Sequence, residues 1–302
     1  MQAEETLDKK EQAMILLNKR GYASFIKCES CNEPIRCPHC DVTLTYHKAE
    51  NRLKCHLCEY FIPTPRTCPN CGSTHLKKIG YGTQKIEEEL EKQYPEANII
   101  RFDFDTTRNK NTHLKLLKDF EEHKADIMLG TQMIAKGLDF SNVTFVGVLM
   151  ADLSLMVPDF RASERTFQLL CQVAGRSGRG EKQGTVMIQT FNPEHYAIKA
   201  AVKQDYDAFF KEEIAFRKKA KYPPYCHLVS VIVQSRSPKN VHSIALDISQ
   251  YLRDHLEKVR IIGPQSTFKM QDIYRERILI KYIESKPIYE QLSIIDDYYN
   301  RT

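Results

Sequence analysis

Five short segments of the chain are rich in Ile, Val, Leu, Met and Phe. They are "QAMILLN" (12–18), "ANIIRFD" (97–103), "ADIMLGT" (125–131), "VTFVGVLM" (143–150) and "GTVMIQT" (184–190). Strands buried on both faces, as in parallel sheets, have this pattern. Between them the period changes. "TQKIEEELEKQY" (83–94) and "THLKLLKDFEEHK" (112–124) place apolar and charged residues at helical spacing. A third helix is predicted over "SERTFQLLCQVAG" (163–175), with Ser163 as its N-cap. Strand and helix patterns in alternation predict an α/β layer on a parallel sheet.

After "FNPEHY" (191–196) the texture differs. A charged helical stretch runs through "DAFFKEEIAFRKKAKYPPYCH", and Pro223–Pro224 ends it. A strand ("HLVSVIVQS"), a capped helix ("SPKNVHSIALDISQYLRDHLEKV"), a loop or short strand ("RIIGPQ"), a strand ("YRERILIKY") and a helix ("KPIYEQLSIIDDYYN") follow. A small α/β sandwich fits this order. Residues 1–27 and 77–195 thus read as one α/β domain, 28–76 as an insertion in it, and 196–302 as a C-terminal α/β domain. Arg217, Lys218, Lys219 and Lys221 could track phosphates or form a solvated helix face.

The insertion has few large apolar residues and eight of the chain's ten cysteines. They form four C-x-x-C pairs: Cys28/Cys31, Cys37/Cys40, Cys55/Cys58 and Cys68/Cys71. A C-x-x-C turn supplies two soft ligands from one tight loop, so four pairs suffice for two four-cysteine zinc sites. Disulfides are the competing reading. They are disfavoured because the acidic, amphipathic N-terminus "MQAEETLDKKEQ" lacks the features of a secretory signal. A cytoplasmic protein is the default, and no stretch approaches the apolar length of a transmembrane helix. Sequential pairing leaves five residues between Cys31 and Cys37, and interleaved pairing makes a cross-brace. Nested pairing joins Cys37/Cys40 to Cys55/Cys58 across fourteen residues and closes the base with Cys28/Cys31 and Cys68/Cys71. Nesting is favoured, because an insertion must bring its ends together. His39, His47, His56 and His75 read as surface histidines, and Cys171 and Cys226 as packed thiols. The formal charge of +5 falls to about +1 once eight thiolates and two dications are counted, so overall charge says little about nucleic acid.

Three loops carry candidate chemistry at the carboxyl ends of predicted strands, where such sheets bind ligands. "GYGTQ" (80–84) opens a helix. "LGTQMIAKGLDF" (129–140) follows a strand. "CQVAGRSGRG" (171–180) ends a helix with Arg176 and Arg179, fixed cations whose planar forks match phosphate oxygens. The chain has no G-x-x-x-x-G-K-[ST] loop; the nearest sequence, "GRSGRGEK", has Glu181 at the lysine position.

"GTQMIAKGLDF" and "QVAGRSGR" resemble motifs V and VI of superfamily 2 helicases. With "GYGTQKIEEEL", "RFDFDTT", "PDFRASERTFQLLCQVAGRSGR" and the eight-cysteine insertion, nearly the whole chain resembles the PriA (primosomal protein N′) family of replication-restart helicases. The resemblance implies a second RecA-like helicase lobe, the inserted two-zinc module and the C-terminal domain. It implies that the chain corresponds to the C-terminal portion of the family's proteins, the phosphate cradle lying in a first lobe, so that the chain alone is inactive as an ATPase. Arg176 and Arg179 would then act as arginine fingers on ATP with Mg²⁺, and Gln172 would couple nucleotide to lobe closure. Gly137 and Asp139 would line the nucleotide side of the cleft, and Thr83, Thr131 and Gln132 would touch the backbone of single-stranded DNA. The implied parent is a 3′ to 5′ DNA helicase that recognises stalled or branched forks and initiates primosome assembly. Its implied partners are DNA and primosome proteins, with single-stranded-DNA-binding protein a further candidate, and no membrane. The alternative is a non-enzymatic zinc-ribbon adaptor of the replication machinery.

Overall fold

The computed structural model describes residues 2–18, 25–40, 42–47, 50–55, 57–79, 83–103, 110–134, 140–157, 159–177 and 183–300. In chain order the elements begin with α1 (Gln2–Asp8), β1 (Gln12–Leu17), β2 (Phe25–Cys28), β3 (Thr45–His47), β4 (Arg52–Lys54), β5 (Phe61–Pro63) and β6 (Leu76–Ile79). Next come α2 (Thr83–Gln93), β7 (Ile99–Phe102), α3 (Lys110–Glu121), β8 (Ile127–Gly130) and β9 (Val143–Leu149). A 3-10 turn (Ala151–Ser154), α4 (Ala162–Ala174), β10 (Thr185–Ile188), α5 (Tyr196–Lys203) and α6 (Tyr206–Ala220) follow. The chain ends with β11 (His227–Ser235), α7 (Pro238–His255), β12 (Arg260–Ser266), β13 (Tyr274–Tyr282) and α8 (Ser285–Asn300). It divides into two compact units, residues 1–23 with 80–214 and residues 24–79 with 215–302.

The first unit is built on a parallel sheet in the order β10-β9-β1-β8-β7. The central strand, β1, shows why its sequence is apolar from Ala13 to Leu17. Met14 and Leu16 face one core with Phe120, Phe167, Leu170 and Val173, while Ala13, Ile15 and Leu17 face a second with Ile86 and Phe145. Successive strand residues point to opposite faces, and here both faces are covered by helices. Each large apolar side chain buried this way contributes about 1.5–3 kcal/mol. Gly130 ends β8 where a Cβ would collide with the Phe102 carbonyl of β7, so the two carboxyl ends approach closely.

Two sequence expectations change. Ser163 does not cap α4: the helix starts at Ala162 behind Arg161, and no side chain caps it. Asp159 instead organises the entry, accepting from the Arg161 amide (2.9 Å) and from Arg161 Nε (3.0 Å) and Nη2 (2.9 Å). The Arg161 fork holds its carboxyl down at about 2. The packing division falls at 214/215 rather than 195/196, because Ala197, Ile198, Ala201 and Phe209 share the core of the parallel sheet.

In the second unit, β11, β13 and β12 form an antiparallel sheet in that order, covered by α7 and α8. Ser237 caps α7 by accepting from the Asn240 amide at 3.3 Å. The cysteine-rich segment adds a two-stranded ladder, β2 with β6, and a three-stranded sheet, β3-β4-β5.

Candidate functional site

The C-x-x-C turns share one backbone geometry. The leading cysteine's amide donates to the carbonyl five residues on: Cys28 to Glu33 (2.9 Å), Cys37 to Val42 (2.9 Å), Cys55 to Tyr60 (2.7 Å) and Cys68 to Ser73 (2.7 Å). The residue four after the leading cysteine is left-handed: Asn32 (φ 63°), Glu59 (φ 63°) and Gly72 (φ 74°). The corresponding Asp41 lies outside the described residues. Each turn folds back on itself and presents its two thiols together.

The β2–β6 ladder opposes Cys28 to Leu76 and so brings the ends of the insertion together. The outer cluster, Cys28, Cys31, Cys68 and Cys71, forms there, with Cys28–Cys71 and Cys31–Cys68 Sγ separations of 3.6 and 3.7 Å. The inner cluster is Cys37, Cys40, Cys55 and Cys58, with Cys37 and Cys58 sulfurs 3.6 Å apart. Pairing is therefore nested. Four sulfurs about 2.3 Å from one zinc lie about 3.8 Å from each other, close to these values, whereas a disulfide would need about 2 Å. The thiols of each cluster fit a tetrahedral tetrathiolate.

Their acidities diverge. The Cys31 amide beside Cys28 lowers its thiol to about 6, whereas burial pushes Cys37 up to about 12. A dication would overcome the resistance of a thiol such as Cys37 to ionising, with release of its proton.

The second cluster of polar groups lies at the carboxyl edge of the parallel sheet. Asn18, buried at the end of β1, donates to the Ala151 carbonyl and to Ser154 Oγ, both at 2.9 Å, and accepts from Gln132 Nε2 at 3.1 Å. Ser154 Oγ is 2.6 Å from Thr166 Oγ1, whose hydroxyl donates to the Ala162 carbonyl inside α4. The segment after β8 is thus joined through β1 to the helix that carries Arg176. Just past α4, the Ser177 hydroxyl donates to the carbonyls of Thr144 (2.8 Å) and Thr185 (3.2 Å), fixing the backbone beside Arg176. At the first residue of α2, Thr83 donates to Asp103 Oδ2 at 2.6 Å, and Arg101 joins Asp103 to Glu87.

Three family profiles match the chain. The PriA DNA helicase Cys-rich region domain matches residues 37–63, the helicase conserved C-terminal domain residues 75–181, and the primosomal protein N C-terminal domain residues 218–294. The replication restart protein PriA of Bacillus subtilis is 48% identical over 99% of this chain. The chain belongs to the PriA family. The PriA protein of Chlamydia pneumoniae is 42% identical over 95% of the chain. The chain spans 37% and 39% of the lengths of these two relatives. A solved structure titled Mss116p DEAD-box helicase domain 2 bound to an RNA duplex is 23% identical, covering 42% of this chain and 43% of that one, with a TM-score of 0.30.

The PriA Cys-rich profile spans the inner cluster, and all eight metal candidates fall in the two clusters. Along the sheet edge, Gln132 is engaged by Asn18 and Thr83 by Asp103, while Thr131 is half-buried after β8. Gln172 is exposed on α4, and Arg176 is half-buried just beyond it. Arg179, Gly137 and Asp139 lie outside the described residues. Sequence reasoning missed Asn18, Asp103 and Asp152. Burial opposes the charge of Asp152, but the Phe191 amide and Thr190 hydroxyl hold its carboxyl below the ordinary value. A polar residue closing an apolar run, as in "AMILLN", was the available signal for Asn18.

Proposed function

We propose that the chain supplies the second motor lobe, zinc module and C-terminal domain of an ATP-dependent 3′ to 5′ DNA helicase of replication restart. The observation that carries this reading is the Gln132–Asn18–Ser154–Thr166 chain of hydrogen bonds, because it couples the segment after β8 to the helix leading to Arg176. A motor lobe needs that coupling: a change at the nucleotide must reach the DNA-facing loops. The match to a helicase C-terminal domain over the same segments favours this reading over a non-enzymatic adaptor.

In this reading Arg176 and Arg179 reach the γ-phosphate of ATP, whose Mg²⁺ and phosphate cradle belong to another lobe. Their guanidinium charge offsets the charge that develops in the phosphoryl-transfer transition state. Gln172 lines the approach, and Gly137 and Asp139 face the nucleotide. Thr83, Thr131 and Gln132 hold the DNA backbone, contacts that position the strand without reading its sequence. Branched and single-stranded DNA and primosome proteins are the partners, in the cytoplasm; no described helix is long and apolar enough to cross a membrane.

The test is DNA-stimulated ATP hydrolysis by the full-length protein. Arg176→Ala and Arg179→Ala should each lower it by about 10³-fold or more, with DNA binding in the absence of nucleotide retained. The 302-residue chain alone should hydrolyse no ATP above background. Hydrolysis that persists in both variants would refute the finger assignment.

A further inference from the structure

The loop between β12 and β13 closes in a two-residue turn, Gln271–Asp272. Both residues have positive φ, 53° and 59°, and Met270 and Ile273 exchange two backbone hydrogen bonds of 3.1 Å. Hairpin turns of this hand favour Asn and Gly, because a Cβ opposes the left-handed conformation. Gln and Asp occupy it here under strain. Such strain persists where the surroundings determine the conformation.

Those surroundings are the inner cysteine cluster. The Gln271 amide donates to Cys40 Sγ at 3.2 Å. The Asp272 amide donates to the His39 carbonyl at 2.9 Å, and its carboxylate lies 2.6 Å from His39 Nδ1. The Lys269 ammonium donates to the Pro38 carbonyl at 2.7 Å, and Met270 packs on the cluster's apolar surround. Every residue from 269 to 272 thus engages the cysteine module. Arg275 braces the tip from behind, donating to the carbonyls of Met270 (3.3 Å) and Ile273 (3.1 Å).

We infer that this hairpin tip is an outer-shell part of the inner metal centre, with Lys269 and Asp272 as positioning residues that aim the Gln271 amide at a metal-bound thiolate. Four thiolates around one dication keep a surplus of negative charge. An N–H donor on a sulfur offsets part of it, and outer-shell partners of this kind typically change metal affinity 10–100-fold. By linkage, holding the metal and docking the tip favour each other equally.

The test uses the full 302-residue chain loaded with cadmium, whose two tetrathiolate resonances report the sites separately. The inner resonance is the one lost in Cys37→Ser. A Lys269→Ala/Asp272→Ala double variant should lose inner cadmium to a chelator about 10-fold faster, with the outer site unchanged. Gln271→Gly keeps the backbone N–H on Cys40 and gives up only the side-chain hydrogen bond to the Leu57 carbonyl (3.4 Å) and the left-handed strain, so its inner release should change far less than that of the double variant. In the reverse direction, Cys37→Ser should speed amide exchange of residues 270–273 about 10-fold by the same linkage, leaving the β11–β13 ladder protected. Equal acceleration of both sites would mean general loosening and would overturn the inference. So would unchanged inner release in the double variant, or an unchanged tip in Cys37→Ser.

Discussion

The parallel sheet and the cysteine module solve the same problem in opposite ways. The sheet buries apolar side chains on both faces; Leu16, Met128 and Leu129 are fully enclosed between helices. The module fully encloses Leu44 and Leu53, but much of its buried interior is sulfur: Cys28, Cys40 and Cys55. One region folds because its strands alternate between two oily layers. The other is too small for that and depends on two charged centres. The difference locates the stability of each region in a different interaction, and each can be removed separately.

Metal removal should have the largest effect. Structural zinc contributes about 10–16 kcal/mol of apparent binding energy at neutral pH, far more than any single apolar side chain. With excess chelator, amides of residues 28–76 should lose most of their exchange protection while β1, β8 and β9 keep theirs. If the sheet opens at the same chelator concentration, the two regions do not differ as described. The converse is Leu16→Ala. The side chain has no exposed surface, so its loss should destabilise the first unit by about 2–5 kcal/mol in denaturant titration. Metal analysis should still return two zinc per chain, because Leu16 lies in the first unit and the eight clustered thiols in the second.

The same contrast governs what could be read from the sequence. The inner parallel strands were legible because burial on both faces leaves a continuous apolar run, as in "AMILL" of β1, and the partly exposed edge strands β7 and β10 kept shorter runs of the same residues. The nested clusters were legible because C-x-x-C spacing fixes which thiols share a turn, and an insertion must bring its ends together. β12 was legible only as a loop or short strand, because Gly263 and Pro264 interrupt its pattern where its register against β13 shifts between Ile262 and Gln265. α4 starts one residue before Ser163, with no side-chain cap, because Asp159, outside the helix, fixes its entry through Arg161. Asn18 and Gln132 meet across 114 positions of chain, and no local pattern encodes that contact. The docking of residues 269–272 on the cysteine module was invisible for the same reason.

Within the module, one outer and one inner turn carry different residues at the same left-handed position, and this gives the smallest effect. The left-handed residue is Gly72 in one outer turn and Glu59 in one inner turn. A side chain there costs about 1–2 kcal/mol, partly offset because glycine loses about 0.5–1 kcal/mol more backbone entropy on folding. A Cβ on Gly72 would meet nothing within 4 Å, so Gly72→Glu isolates the conformational term from any clash. Glu59 is 84% exposed and 3.9 Å from Lys54, an ion pair worth little at the surface, so Glu59→Gly removes mainly the strain. A net change of about 1 kcal/mol is about fivefold in an equilibrium constant. Gly72→Glu should therefore speed metal release from the outer site by about that factor, and Glu59→Gly should slow release from the inner site by a similar or smaller one. The two substitutions must shift their sites in opposite directions. A shift in the same direction would show that the left-handed position does not control how firmly each turn holds its thiols.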